Sequence, residues 1–306
     1  MPHSRYLFIV NPVAASGAAA TRFEALASQR ATLDHDVAFT EAPGHATEIA
    51  AHAHGYDVVV AFGGDGTTAE IVNGLMQIAD EERPVLALLP CGSGNDSCRM
   101  AGVPLTIDAA FEVLRTGTPR SFDLGLCNDT YFVNSFSTGV DAQVVTRTHE
   151  LKEATGHTGF ALYGRALIDV ILRNMKATII EVTRKGSDDR SDVDGAATRH
   201  DVLLCTVTNG QTYGSGFRIN PSARPDDGTL TMSHIAWIPR WRVLSLLPAL
   251  MRATHPRVKH YRVDEVIACT VTNVTDEPLV AQCDGEIVRE RTFAISVRPQ
   301  ALRILV

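Results

Sequence analysis

The chain has 306 residues, with 28 basic and 35 acidic side chains and a formal net charge of −7. This balance excludes a generally basic nucleic-acid-binding protein. The length predicts two domains, and 45% apolar residues are enough to fill a core in each of them. No stretch approaches the roughly 18 to 20 uncharged apolar residues of a membrane-spanning helix, so we expect a soluble or membrane-peripheral protein.

The N-terminal segment and the cysteines both favour a cytoplasmic protein with reduced thiols. The apolar run at residues 7–10 is too short for a secretory signal, so we expect a cytoplasmic protein. The cysteines form neither a Cys-x-x-Cys pair nor a zinc-like spacing, and we expect reduced, mostly buried thiols. The scattered histidines give no support to a histidine-based metal site.

The first 118 residues alternate short β-rich runs with longer helical patterns. Strands are predicted at 6–10, 36–40, 57–61 and 85–89. Helices are predicted at 18–29, 45–54, 67–79 and 107–115. This order favours a doubly wound α/β domain.

From about residue 120 the pattern changes, and a mostly antiparallel second domain is predicted. Its strands are expected at 122–127, 131–136, 177–183, 202–208, 229–235, 266–273, 279–282, 292–297 and 302–305. Two helical stretches are expected within it, at 161–173 and around 242–254.

The sharpest motif is a glycine-rich turn between an apolar strand and a predicted helix, formed by Gly63, Gly64, Asp65, Gly66 and Thr67. The glycines allow a tight turn and a close approach to a ligand, and Thr67 is a candidate cap for a helix whose first amides attract anions. A phosphate group fits such a turn. The carboxylate of Asp65 would repel it unless a divalent cation lies between them, which predicts Mg²⁺. The alternative is an ordinary glycine-rich turn with a capping aspartate.

Two further loops follow predicted strands in the same way. The second consists of Gly92, Ser93, Gly94, Asn95 and Asp96. The third, which is a weak signal on its own, contributes Asn11, Pro12, Ser16 and Gly17. Because ligands bind at the carboxyl ends of parallel strands, three such loops predict one nucleotide-binding crevice.

These motifs occur together with others in a recognisable order and spacing: Arg99, Phe-Asp-Leu-Gly at 122–125, Tyr-Phe-Val-Asn at 131–134, Gly139, Asp-Asp-Gly at 226–228 and Asp-Gly-Glu at 284–286. The sequence resembles the soluble lipid kinases, which comprise bacterial diacylglycerol kinases and the sphingosine and ceramide kinases. The resemblance covers nearly the whole chain. The 63–67 motif alone is shared with NAD kinases and phosphofructokinases. Two positions depart from the usual pattern, since Ser93 replaces a threonine and Ala15 replaces a glycine.

The resemblance implies a nucleotide-binding α/β domain at 1–128, a β-sandwich-like lipid domain at 129–297, a cleft between them, and a last strand at about 298–306 returning to the first domain. It implies ATP as the phosphate donor. It also implies that Asp65, Asp96 and Asp123 organise Mg²⁺ and water and that Asp227 belongs to a separate structural Mg²⁺ site. The catalytic residues are expected to be Asp284, which acts as base, together with Asp65 and Glu286.

Each of these aspartates also has an ordinary interpretation. Phosphoryl transfer needs alignment and charge neutralisation, and Asp284 could accept the hydroxyl proton late in the reaction. Asp284 could equally be part of an Asp-Gly hairpin turn. Asp227 lies in a Pro-Asp-Asp-Gly turn signal, and Asp123 could be a solvated strand residue.

The segment 237–262 contains six basic residues and no acidic residue. It also contains two tryptophans and several leucines. It could contact an anionic membrane surface. We favour the alternative, a helix that packs on the second domain with an arginine-rich outer face.

The leading hypothesis is an ATP- and Mg²⁺-dependent kinase that phosphorylates a lipid primary hydroxyl, most simply diacylglycerol to phosphatidic acid. We expect a lipid substrate at a membrane surface and no nucleic-acid partner, and a homodimer is compatible with the sequence. The alternatives are an NAD kinase-like enzyme and a non-catalytic lipid-binding protein on the same fold. The chain has neither a P-loop nor the protein-kinase motifs.

Overall fold

The computed structural model describes residues 4–92, 94–157, 160–186, 195–214, 216–243 and 260–306. Over these residues the chain forms two lobes whose strands are hydrogen-bonded into one continuous mixed sheet. The sheet is parallel in the first lobe and antiparallel in the second, and each lobe has its own apolar core. The predicted fold class, an α/β domain followed by an antiparallel β-sandwich-like domain, is confirmed.

The first lobe has a parallel sheet in the order β2-β1-β3-β4, formed by β1 (Arg5–Val10), β2 (Asp34–Phe39), β3 (Val58–Gly63) and β4 (Val85–Pro90). The central strands β3 and β4 are fully buried apolar runs, as expected of parallel strands covered on both faces. The covering helices are α1 (Ala19–Ala25), α2 (Ala27–Arg30), α3 (His45–Ala51), α4 (Asp65–Leu75), α5 (Asp96–Ala101) and α6 (Ile107–Thr116).

The second lobe is mostly antiparallel. Its strands are β5 (Pro119–Cys127), β6 (Thr130–Phe132), β7 (Ser135–Gly139), β8 (Thr178–Lys185), β9 (Thr198–Thr208), β10 (Leu230–Ala236), β11 (Tyr261–Val266), β12 (Ala268–Asn273), β13 (Leu279–Cys283), β14 (Glu286–Glu290) and β15 (Thr292–Leu305). Two helices, α7 (Val140–Thr155) and α8 (Phe160–Asp169), pack on one face of β9 and β10, and α8 runs into a π-helical turn at Val170–Asn174.

The last strand, β15, joins the two lobes. Its first part pairs with β12 in the second lobe, and Ile304 pairs with Leu86 of β4 in the first. Along its opposite edge it pairs with β5, with a register shift between Arg298 and Leu302. Arg83 holds the end of β15 from the first lobe, since its guanidinium donates to the carbonyl oxygen of Ala301 at 2.7 Å. The lobes are therefore connected by sheet hydrogen bonds as well as by the chain itself.

Several predicted elements differ from the observed ones. Helix α4 begins at Asp65, so Thr67 lies inside its first turn and does not cap it; this prediction was wrong. The strand predicted at 131–136 is interrupted after Phe132, where the backbone amides bind a carboxylate described below. Helix α7 was missed because its 16 residues carry little apolar periodicity. Most of the helix predicted at 242–254 lies outside the described residues.

All six cysteines are buried and unpaired, which confirms the expectation of free thiols. Among the residues that the structure describes, no helix is long and apolar enough to cross a bilayer.

Candidate active site

The three predicted loops converge at the carboxyl ends of β1, β3 and β4. Asn11, which follows β1, donates from Nδ2 to the Thr67 hydroxyl at 2.9 Å and so joins the third loop to α4. The loops after β3 and β4 touch through their backbones, because a Cβ on Gly92 would lie only 2.7 Å from the Cα of Gly64. The position of the second loop relative to the first thus depends on glycine at 92.

Other residues of these loops fix their shape. Gly63 precedes α4 so closely that a Cβ there would lie 2.6 Å from the Thr67 side chain. Asn95 has a left-handed backbone (φ 52°), and its Oδ1 accepts the Gly92 amide at 2.9 Å. In the third loop, Ala15 and Ser16 both have positive φ, 53° and 58°, conformations that non-glycine residues adopt at a cost. The neighbouring Gly17 also has positive φ, Pro12 is half-buried, and Ser93 lies outside the described residues.

Asp65 is the first residue of α4 and binds the start of α5. Its Oδ1 accepts the backbone amide of Ser97 at 2.9 Å and the Ser97 hydroxyl at 3.0 Å. Its Oδ2 has no hydrogen-bond partner among the described residues. Asp96, the first residue of α5, is buried; its Oδ1 lies 3.3 Å from the Thr212 hydroxyl and 3.7 Å from Nε of Arg99. The two predicted acidic residues of the first lobe therefore occupy neighbouring helix starts.

Asp284 reaches the same region from the second lobe. It forms with Gly285 the two-residue turn between β13 and β14, and both residues have positive φ, 47° and 93°. Its carboxylate accepts three consecutive backbone amides: Oδ2 that of Val133 at 2.6 Å, and Oδ1 those of Asn134 and Ser135 at 3.0 and 2.9 Å. Asp284 is therefore both an Asp-Gly hairpin residue and an anchored carboxylate, so the two interpretations of this motif are compatible.

These residues line one polar cavity of about 240 Å³ between the lobes. Of the predicted site residues, Asp65, Gly94, Asp96 and Asp284 line it. An adjacent, mainly apolar cavity of about 100 Å³ lies under α7 and α8 and shares Tyr163 and Tyr213 with the polar one. The two cavities are therefore adjacent, with these two tyrosines in the wall of each.

Burial controls the ionisation of this site. It raises the pKa of Asp284 to about 6, with the charge of Asp65 acting in the same direction and the three amides opposing it. Burial likewise raises the pKa of Asp141 in α7 to about 6, while hydrogen bonds from Ser137 and the Ala142 amide lower it. Carboxyl groups with such pKa values lie in the range where general bases operate.

Three other predicted residues lie elsewhere. Asp123 is fully buried away from the cavity, and its carboxylate accepts the amides of Gly228 at 2.7 Å and Gln300 at 2.8 Å. Asp227 binds Thr229 within its own turn. Glu286 is exposed, close to Gly66 at the start of α4. Among the described residues, no group of three or more His, Cys, Asp or Glu side chains is arranged to hold a metal ion.

The sequence interpretation missed several residues of the site. Asp141 and Gln282 are buried beside the Asp284 turn, and Tyr163, Tyr213 and His149 line the polar cavity. Asp141 follows Gly139, which the resemblance had singled out, but an acidic residue in a first helical turn is too common to signal a site. The tyrosines lie on segments whose apolar pattern does not separate a cavity lining from a core.

An acidic cavity beside glycine-rich turns at the ends of parallel strands is the arrangement that a phosphoryl-transfer enzyme requires. Residues 5–127 match the model of the diacylglycerol kinase catalytic domain, and residues 134–306 match that of the YegS C-terminal NAD kinase beta sandwich-like domain. The chain belongs to the family of lipid kinases that combines these two domains.

Relatives and solved structures agree with this assignment. Probable lipid kinase YegS from Salmonella gallinarum is 30% identical over 257 residues, and Probable lipid kinase YegS-like from Yersinia enterocolitica is 28% identical over 249. Each alignment covers 81% of this chain and 78% of the relative. A crystal structure of a diacylglycerol kinase from Bacillus anthracis str. Sterne has a TM-score of 0.72 at 21% identity, covering 100% of this chain and 97% of that one. At that identity the structural likeness establishes the fold.

Replacing Gly92 with alanine tests the contact between the loops. We expect Gly92→Ala to lower the free energy of unfolding by about 1–3 kcal/mol, because the new Cβ would press on the Gly64 backbone. Gly64→Ala is the matched control, since its Cβ would meet the nearest atom at an ordinary 3.7 Å and should cost less than about 1 kcal/mol. Urea unfolding of both ligand-free variants measures the difference. Equal losses would contradict the close approach.

Proposed function

We propose that this lipid kinase transfers the γ-phosphoryl group of ATP to a lipid primary hydroxyl, with diacylglycerol as acceptor and phosphatidic acid as product. The observation that carries the proposal is the meeting of Asp65 and Asp284, from different lobes, in one polar cavity that lies beside an apolar one. A nucleotide on the first lobe and a lipid on the second would meet there.

Asp284 is the candidate general base. A carboxylate has about four lone-pair positions, and three are used by the amides of residues 133–135. Oδ2 accepts only one of these amides, so it retains a position for a substrate hydroxyl. As the oxygen of the lipid attacks the γ-phosphorus, its proton passes to Oδ2 and the bond to the β-phosphate oxygen breaks, which releases ADP.

The donor chemistry of Asp65 and Asp96 fits Mg²⁺. Their carboxylate oxygens are hard ligands, and Mg²⁺ in kinases is usually held by only one or two carboxylates together with substrate phosphates and water. The lack of a three-residue metal cluster in the described part of the chain therefore does not oppose this fit. Bound there, the ion would neutralise the triphosphate beside three carboxylates. The amides at the start of the 11-residue helix α4 would add favourable interactions with phosphate oxygens.

The apolar cavity is the candidate site for part of an acyl chain. Its lining includes Val144, Leu203, Ile235 and Val243, and the shared tyrosines show that it lies beside the polar cavity. A volume of about 100 Å³ accommodates only a few methylene groups. Most of the acceptor would therefore stay in the bilayer while its head group enters the cleft.

A surface next to this cavity has the composition of a membrane contact. Ile168 and Leu172, one helical turn apart, are 58% and 53% exposed, and Trp241 is 65% exposed. Arg240 joins the two segments, donating to the Leu172 carbonyl oxygen at 2.7 Å. The exposed basic side chains around them are Arg165, Arg173, Arg240 and Arg242. We infer that this surface, called the docking surface below, rests on anionic lipid. Residues 244–259 of the predicted 237–262 contact lie outside the described residues.

Loss of the candidate base tests the proposed reaction. With ATP, Mg²⁺ and detergent-dispersed diacylglycerol, the protein should form phosphatidic acid, and Asp284→Asn should lower kcat by about 10²–10⁴-fold. Asp276→Asn is the control, since Asp276 is 94% exposed in a surface ion pair. Product formation is measured by mass spectrometry over a panel of lipid alcohols and NAD. Formation of NADP, or equal activity of both variants, would reject the assignment.

The pH dependence of the reaction follows from the raised pKa of Asp284. Because the base must be ionised, and its pKa is raised to about 6, kcat/KM should rise with pH through about 6 and level off above it. Initial rates in buffers of constant ionic strength measure this rise of kcat/KM with pH. A flat profile across about pH 5 to 8 would exclude Asp284 as a base with this pKa.

Vesicle binding tests the docking surface. We expect Trp241→Ala or Leu172→Ser to weaken binding to vesicles rich in phosphatidylglycerol by about tenfold, through the apolar area left exposed. Leu105→Ser is the matched control, because Leu105 is 42% exposed but lies on the first lobe. Cosedimentation with anionic and neutral vesicles measures the apolar and the electrostatic contributions to binding. Unchanged binding of the first two variants, or equal binding to neutral vesicles, would reject the anionic docking surface.

A further inference from the structure

Behind the Asp284–Gly285 turn, three buried polar side chains form a directed chain of hydrogen bonds. The amide of Gly285 donates to Oε1 of Gln282 at 2.6 Å, and Nε2 of Gln282 donates to the Ser137 hydroxyl at 2.5 Å. The Ser137 hydroxyl in turn donates to Oδ2 of Asp141. Gln282, Ser137 and Asp141 are 2%, 0% and 7% exposed, so water does not compete for these bonds.

The turn needs support of this kind. Asp284 has a left-handed backbone, a conformation that a non-glycine residue adopts at a cost. The Gly285 amide lies outside the ladder between β13 and β14, whose last pair is Cys283 with Glu286. Gln282 supplies the missing acceptor for this amide. Because Gln282 also pairs with Ser137 in the register of β13 and β7, the chain crosses directly to the neighbouring strand.

Asp141, at the end of this chain of hydrogen bonds, determines which groups donate and which accept. An ionised carboxylate can only accept, so Asp141 makes the Ser137 hydroxyl donate to it, which leaves that hydroxyl to accept from Gln282. The amide group of Gln282 is thereby oriented with its oxygen toward Gly285. Asp141 is held in turn by the Ala142 amide, which donates to Oδ1 at 2.8 Å. With the opposite orientation of Gln282, two donors would face each other at Gly285.

We propose that Asp141, Ser137 and Gln282 are positioning residues that hold the Asp284–Gly285 turn in the conformation needed for proton transfer. This inference rests on the proposed role of Asp284 as base. Asp141 also lines the apolar cavity, so the chain connects the wall of the candidate acyl site with the reacting carboxylate. Gln282 lines the polar cavity and Asp141 the apolar one, whereas Ser137 lines neither and can act only through the turn.

The test breaks the chain of hydrogen bonds at two points. Ser137→Ala removes the link, and Gln282→Leu removes the acceptor for the Gly285 amide. In both variants kcat for lipid phosphorylation should fall about tenfold while KM for ATP stays unchanged. Hydrogen exchange of the Gly285 amide, followed by NMR of the ligand-free protein, should become at least about tenfold faster. If Gln282→Leu does not fold, Ser137→Ala alone decides the outcome.

Thr138→Val is the matched control. Thr138 is the fully buried neighbour of Ser137, and its hydroxyl binds the carbonyl oxygen of Val280 on β13 without touching the chain. It should lose stability but keep kcat and slow Gly285 exchange. An equal fall of kcat in Thr138→Val, or unchanged kcat and exchange in Ser137→Ala, would overturn the inference. If the unaltered protein phosphorylates no lipid, the proposed function fails, and the exchange measurement still decides whether the chain holds the turn.

Discussion

The site depends on one interaction, the binding of the Asp284 carboxylate by the backbone amides of residues 133–135. A buried carboxylate without partners would be strongly destabilising, and three amide donors replace most of the water it loses. The interaction also interrupts the strand that would otherwise run through 131–136, so that Val133 and Asn134 donate to a side chain instead of to the sheet. A side chain on one hairpin thus shapes the backbone of a neighbouring segment.

The same interaction determines the chemistry available to the site. Desolvation raises the pKa of Asp284, the amides lower it, and the balance leaves it near 6. Fewer amides would raise the pKa of Asp284 further, whereas full exposure would lower it toward its usual value and make the carboxylate a weaker base. The chain from Gly285 to Asp141 acts on this balance indirectly, because it fixes where the carboxylate lies relative to its donors.

The sequence predicted the architecture and the chain positions of the site better than the contacts within it. The apolar runs of β3 and β4, the glycine-rich turns after them and the Asp-Gly hairpin are local features, so periodicity and turn chemistry were sufficient. Asp141 and Gln282 could not be recognised, because their roles arise from the pairing of β13 with β7 and from the packing of α7, both of which join residues distant in sequence. Thr67 is not the helix cap because the glycine-rich turn ends earlier than predicted. Asp65 and Gly66 already belong to the helix.

Asp123 is a motif residue with a structural role outside the cavity. Its two carboxylate oxygens bind the amides of Gly228 and Gln300, and Gln300 lies within the register shift of β15, where the last strand passes from one lobe to the other. Both oxygens have a partner, so the burial of this charge needs no cation to account for it. Gln300 itself has positive φ, which the bond to Asp123 helps to stabilise. Among the predicted acidic residues, Asp65, Asp96 and Asp284 therefore face the cavity, whereas Asp123 stabilises the junction where the last strand passes between the lobes.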